Sequence, residues 1–230
     1  MLETYETYSD YNGMAELTRT LVQNAAVEVA GSTTVVHADG SEFDLGGDWP
    51  SITLYGALSQ AVGEEIDVAT PMATLVRLAE KFELAVAPHY GPGKLAEELF
   101  ELLVVDSLVQ PTFVRDFPAE TSPLTRAHRD IPGLAEKWDL YIRGVETGTG
   151  YSELIDPVVQ RQRFVDQARF AGMGDVEAMV LDEDFLRAME YGMPPAGGMG
   201  MGVDRLLMAL TGLGIRETIL FPFVRPGDGG

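Results

Sequence analysis

Apolar residues at Met14, Leu17, Leu21, Val22, Ala25 and Val29 recur at helical spacing and predict an amphipathic helix over residues 10–29. Asp10 stands where an N-cap accepts backbone N–H groups, and Gly31 stands where a helix stops. The period then drops to two. Thr34–His37 and Glu42–Leu45 flank Ala-Asp-Gly-Ser, which signals a hairpin. Helical runs return over Trp49–Ala61, closed near Gly63, and then over Thr74–Leu84 and Lys94–Leu108. Proline and glycine in Pro88–Gly93 break the last two apart. On the last helix, Leu95, Leu99, Leu102, Leu103 and Val105 supply burial, and the acidic residues of Glu97–Asp106 read as a solvated face.

From Gln110 the pattern alternates. Pro111–Phe117 reads as a strand that leads into a proline-bounded loop reaching Arg129. Trp138–Arg143 alternates, as do the residues after Gly144, so two antiparallel strands joined by a tight Arg-Gly-Val turn are expected. Asp156-Pro157 opens a helix running to about Phe170, with proline at its first position. Glu183–Tyr191 is another helix, closed by Gly192 and Pro194. A glycine-rich extended segment and a helix over 203–212 complete the pattern. It describes one α+β domain, with antiparallel strands carrying a site and helices around them.

Composition changes this picture little. A chain of 230 residues with 46% hydrophobic and 23% charged residues can bury a sizeable core. No apolar stretch reaches the roughly 18 residues of a membrane span, and the acidic start (Glu3, Glu6, Asp10) is not a signal peptide, so a cytoplasmic location is expected. Without cysteine there is neither a disulfide nor a thiolate ligand or nucleophile. A formal charge of −20 repels phosphate backbones at long range and excludes a general polyanion binder. A nucleic acid would have to approach a local basic face such as Arg126, Arg129 and Arg143. His37, His89 and His128 show no metal-site spacing and read as surface or loop residues. Met189, Met193, Met199, Met201 and Met208 read as packing.

Two stretches carry chemistry. In Gly197-Gly-Met-Gly-Met-Gly-Val-Asp-Arg205, alternate glycines bare one face of an extended segment, so a planar group can lie on the backbone. Arg205, at the start of the following helix, is placed to stack on that ring or reach its phosphates, the shape expected for ATP on a sheet. In Trp138–Leu154, Asp139 and Glu146 are expected to face each other across the hairpin as oxygen ligands for Mg²⁺ bridging phosphates. Glu153 follows as an acidic group suited to selecting an ammonium.

Glu146–Asp156 (Glu-Thr-Gly-Thr-Gly-Tyr-Ser-Glu-Leu-Ile-Asp), Gly200–Arg205 and the ending Ile219-Leu-Phe-Pro222 together resemble class II lysyl-tRNA synthetases. Met1–Tyr11 resembles the closing strand of that family's second signature motif, and Ser122–Arg126 the loop before its metal-binding hairpin. The last motif belongs to all class II synthetases, and its combination with Gly-Tyr-Ser-Glu-Leu points to the lysine branch.

The resemblance implies a class II antiparallel sheet flanked by helices, N-terminally incomplete. Residues 1–230 would then be a partial catalytic domain, from the end of the second motif to the third. The first motif, the upstream Arg-x-Glu strand that clamps the carboxylate and α-phosphate, and the anticodon-binding barrel would lie outside it. The implied roles follow residue by residue. Arg205 would contact ATP and act in catalysis, over a floor of Gly200 and Gly202. Glu146, with Asp139 where the family usually has glutamate, would hold Mg²⁺. Glu153, Tyr5 and Glu3 would surround the lysine ammonium, and Tyr151 would wall its aliphatic stem. Thr149 stands where most members carry asparagine, a departure shared with the family's lipid-lysylating relatives. Arg216 would support the fold. The implied partners are ATP, L-lysine and tRNA, with homodimerisation in the full-length form and no membrane contact. Two other readings accompany this one: the ligase part of a lysyl-phosphatidylglycerol protein, and a non-catalytic paralogue that binds lysine, ATP or a partner chain.

Overall fold

The computed structural model describes residues 1–172 and 179–223. Its central feature is a six-stranded sheet in the order β1-β8-β7-β6-β5-β4. The strands are β1 (Leu2–Thr7), β4 (Ser51–Thr53), β5 (Thr112–Pro118), β6 (Leu134–Ile142), β7 (Val145–Ser152) and β8 (Ala196–Met201). A separate hairpin pairs β2 (Thr34–Val36) with β3 (Glu42–Asp44), as the turn chemistry predicts. Every pairing in the large sheet is antiparallel except β4 with β5, which is parallel. The expected all-antiparallel sheet is therefore a mixed one.

Helices cover both faces. On one lies α1 (Tyr11–Ala30), whose N-cap Asp10 accepts from the Asn12 and Gly13 amides and whose C-cap Gly31 adopts a left-handed φ of 74°. Met14, Val22 and Ala26 from α1 pack on Phe113, Trp138, Leu140, Met199 and Met201 from the sheet. Ala209 and Leu210 of α7 (Val203–Thr211) join the same core. The opposite face carries α2 (Leu54–Val62), α3 (Met72–Lys81) and α4 (Pro92–Leu103), whose leucines pack on Val114, Phe117, Leu134 and Tyr141. These three helices sit over the β4–β6 side of that face, and they leave the β7, β8 and β1 side to polar residues and glycine. Three helices remain. Phe164 of α5 (Pro157–Gly172) packs with Leu186 and Met189 of α6 (Glu183–Glu190), and α8 (Ile215–Thr218) follows α7.

Four expectations change. The run over Trp49–Ala61 is not helical from its start: Ser51–Thr53 pairs with β5, and the Thr53 hydroxyl then caps the Gly56 amide at 3.1 Å. Pro50 and β-branched Ile52 and Thr53 favour extended backbone there, and the helix begins only at Leu54. The run over Lys94–Leu108 ends as an α-helix at Leu103 and tightens to a 3₁₀ turn at Val105–Ser107. His37 is in a loop but buried, stacked on Phe43, with its ring nitrogens 3.1 Å from Ala209 O and 3.0 Å from Arg143 Nη1. Glu97 does not join the solvated face of α4: it is four residues from buried Gly93 and three from buried Phe100, turns toward the sheet and accepts from the Thr121 hydroxyl. Met189, Met199 and Met201 are buried and Met193 packs beside the first, as expected.

Candidate active site

Strand register assembles the site. Tyr5 lies opposite Gly198 and Glu3 opposite Gly200 across β1 and β8. Gly198 pairs in turn with Tyr151, and Gly200 with Thr149. Tyr151 pairs with Lys137, and Thr149 with Asp139. Because side chains alternate across a sheet, Glu3, Tyr5, Thr149, Tyr151, Glu153, Lys137 and Asp139 all project from the face that carries α2–α4, the first five where those helices leave it open and the two on β6 at the helices' border. The glycines between them form a bare floor. A Cβ on Gly200 would meet only Glu3 Cγ, at 4.0 Å, whereas one on Gly198 would come within 2.0 Å of Glu153 Oε1 and 3.0 Å of the Tyr5 ring. One glycine opens space and the other is required by a neighbour.

At one end of this floor Glu153 is buried, and among the described residues nothing donates a hydrogen bond to its Oε1. Burial pushes its carboxyl up to about 7. Tyr5 and Tyr151 are raised by burial first and by the Glu153 charge second, with Glu3 contributing to both. Glu153, Tyr5 and Glu3, expected to surround an ammonium, and Tyr151, expected to wall its stem, therefore lie together, and among the described residues no cation acts on the Glu153 carboxyl.

At the other end Arg205, in the first turn of α7, donates to the Glu146 carbonyl at 2.7 Å and lies 3.7 Å from the Glu146 carboxylate. It borders a cleft of about 260 Å³ lined by Glu101, Val105, Tyr141, Gly144, Val145 and Glu146. Gly202 is the N-cap of α7 and packs under the Arg205 side chain rather than lying bare, since a Cβ there would meet that chain at 3.4–3.5 Å.

The expected direct pairing of Asp139 with Glu146 is corrected. Asp139 stands opposite Thr149 and Glu146 opposite Tyr141, two residues further along β6, and an irregularity between Leu140 and Tyr141 brings Glu146 to the side of the hairpin that Asp139 faces. A one-residue offset of this kind is local twist that no alternation pattern reveals. The two carboxylates still feel each other: Glu146 is raised by burial and then by the Asp139 charge, against the lowering influence of Arg205. Among the described residues no group of three or more His, Asp or Glu gathers into a metal site. Two carboxylates fit Mg²⁺ nonetheless, because that ion is held by one or two carboxylates together with substrate phosphates. Asp139 Oδ1 is buried without a donor among the described residues, which suits it to a cation.

Two residues escape the motif reading. Lys137 Nζ lies 3.1 Å from Asp139 Oδ2 and 4.0 Å from the centre of the Phe117 ring. Burial works to lower its pKa, but Asp139 and Glu97 outweigh burial and hold it raised and charged. Glu97 itself is pushed up to about 7, chiefly by burial. The sequence carried a signal for both: Lys137 stands two residues before Asp139 on one strand, and Glu97 sits on the buried side of its helix.

A mostly antiparallel sheet thus carries an open glycine floor, an arginine at the following helix and carboxylates at both ends. The chain belongs to the tRNA synthetases class II (D, K and N), whose family model matches residues 1–225. It is 63% identical to a lysine–tRNA ligase of Kineococcus radiotolerans and 59% identical to one of Mycolicibacterium gilvum. Both matches cover 98% of this chain and 45% of the relative. It is also 50% identical to the lysylphosphatidylglycerol biosynthesis bifunctional protein of Mycolicibacterium gilvum, over 98% of this chain and 21% of that protein. The chain thus spans less than half the length of these curated relatives. No helix among the described residues is long and apolar enough to cross a membrane.

Proposed function

We propose that this chain is the catalytic part of a lysine–tRNA ligase, which activates L-lysine with ATP to lysyl-adenylate and then transfers lysine to tRNA. The observation that carries the reading is Glu153: a buried carboxylate with one oxygen unpartnered among the described residues, beside Tyr5, Tyr151 and Glu3 above a glycine floor. Such a group selects a ligand that brings its own ammonium at the end of an apolar stem.

With the ammonium at Glu153 and Glu3 and the stem along Tyr151, the lysine carboxylate points along β8 toward Thr149 and Gly200. Arg205 and the cleft beside Glu146 receive the nucleotide. The lysine carboxylate attacks the α-phosphorus of ATP, an oxygen–phosphorus bond forms, and pyrophosphate leaves with the electron pair. The reaction requires no protein nucleophile, so these side chains act by positioning and by charge. Asp139 and Glu146 would hold Mg²⁺, which supplies charge neutralisation at the phosphates. Dimer formation and tRNA binding, the wider roles of the full-length family, extend to this protein as part of the same proposal.

The test is lysine-dependent exchange of pyrophosphate into ATP by the full-length protein. Glu153→Gln keeps the shape of the pocket and removes its charge. It is expected to weaken lysine binding by about 1.5–3 kcal/mol, the worth of a charge-assisted partner, and to leave ATP affinity in place. Unchanged lysine affinity in this variant would remove Glu153 from the pocket and the reading with it.

A further inference from the structure

Lys137 ties the acidic end of the site to the helical layer. Its ammonium is held from three elements: by Asp139 Oδ2 at 3.1 Å on its own strand β6, by the Phe117 ring at 4.0 Å on β5, and by the charge of Glu97 on α4. A lysine chain is otherwise a flexible point charge, and this three-sided seat removes most of its freedom. Asp139 is left with one oxygen engaged and the other, Oδ1, buried with no donor among the described residues. That asymmetry is the unusual feature. A carboxylate meant only to neutralise a buried lysine has no reason to keep a desolvated oxygen unpaired, since leaving it so costs stability.

We propose that Lys137 is a positioning residue for the Asp139–Glu146 pair, taking one oxygen of Asp139, leaving the other unpaired for a cation, and cutting the charge of the pair so that a divalent cation is held only together with nucleotide phosphates. The inference rests on the reading of Asp139 and Glu146 as the metal-holding residues. Two carboxylates alone offer a cation two negative charges, and the Lys137 ammonium beside Asp139 offsets part of that offer. A dication then gains too little from the protein by itself and binds when phosphate oxygens complete its shell. The arrangement favours the cation arriving with ATP over a cation resident beforehand.

Binding of Mn²⁺ to the full-length protein in the absence of nucleotide, followed by calorimetry or electron paramagnetic resonance, tests this without any turnover. Lys137→Met is expected to bind Mn²⁺ about tenfold more tightly than the wild type, because a neighbouring positive charge is gone. Its kcat for lysine-dependent pyrophosphate exchange should fall while the KM for lysine holds, because Asp139 loses its preset orientation and the lysine pocket does not. Lys137→Arg should restore both properties toward wild type. A purely structural lysine would lower stability without tightening Mn²⁺ binding, so unchanged or weaker Mn²⁺ affinity in Lys137→Met overturns the proposal. Should that variant melt too low to titrate, Lys137→Gln keeps a donor for Asp139 without the charge and carries the same expectation for Mn²⁺ affinity. Adding Asp139→Asn to either variant should abolish the gain. A gain that survives Asp139→Asn places the cation elsewhere, and both the metal reading and this inference then fall, whereas loss of the gain with exchange unaffected by Lys137→Met overturns the inference alone.

Discussion

A single buried carboxylate links the function of this site to its stability. Glu153 has its carboxyl raised from an ordinary value of 4.5 to about 7 by burial. An acid with a raised folded pKa keeps its proton in the folded chain where the unfolded chain has released it. Its contribution therefore favours folding at low pH, declines as pH climbs from about 4.5 to about 7, and stays at its least favourable level above that. Glu153→Gln removes this dependence. Relative to wild type, the variant should gain on the order of 2 kcal/mol of stability between pH 4 and pH 8, in the absence of lysine. Chemical denaturation at the two pH values measures the difference, and the slope contributed by Glu97 cancels because both proteins share it. A gap between the two proteins that does not change with pH would mean Glu153 is solvated. The same substitution that stabilises the empty chain is expected to lose lysine, as is usual where a site holds an uncompensated charge for its ligand. Arg205 supplies a second test at this scale. Nucleotide at about 100 times its dissociation constant stabilises a protein by about 2.7 kcal/mol, and Arg205→Ala should abolish most of that protection in a melt with Mg²⁺. Equal protection of both proteins would remove Arg205 from the nucleotide site.

At the scale of elements, β8 shows what a glycine strand is for. Neither Gly198 nor Gly200 has a positive φ, so alanine fits the backbone at both, and only the surroundings differ. Gly200→Ala meets nothing closer than 4.0 Å. It should leave stability unchanged or raise it by about 0.4–1 kcal/mol through the unfolded chain, while its methyl group obstructs whatever lies on the floor. Gly198→Ala meets Glu153 Oε1 at 2.0 Å and should displace that carboxylate, losing lysine selectively. Melting curves with lysine or nucleotide added separate the two, and a Gly200→Ala protein that binds both ligands normally would end the floor assignment. The strand and its helix were legible in the sequence because alternate glycines followed by an apolar helical run permit little else. Helix α1 was legible for a similar reason, with Asp10 and Gly31 marking both ends. The start of α2 was not, because three residues of parallel pairing to β5 decide it and such a partner is remote in sequence. The offset between Leu140 and Tyr141, which brings Glu146 to the side that Asp139 faces, escaped as well. The family resemblance named the candidate site residues, and strand register places Lys137 beside Asp139 among them.

Across the whole molecule, two opposed features meet. The chain carries a formal charge of −20, which repels further copies of itself. It also presents an edge strand, β1, paired only with β8, and large exposed apolar side chains at Met1, Tyr8, Leu220, Phe221 and Phe223. Edge backbone and exposed aromatic groups both favour association, and neither is weakened by salt. Charge repulsion is weakened: the Debye length falls from roughly 30 Å at 0.01 M to about 3 Å at 1 M. The 230-residue chain is therefore expected to be monomeric at low ionic strength and to associate as salt is raised, the reverse of an interaction held by ion pairs. Light scattering or sedimentation across a salt series reads this directly. Replacing Phe221 and Phe223 with serine should move the onset of association to higher salt without lowering the melting temperature, because both side chains are about 93% exposed and contribute little to the core. Association that weakens with salt would show that charge pairing drives it, and association unaffected by the double substitution would put the contact on the β1 edge instead.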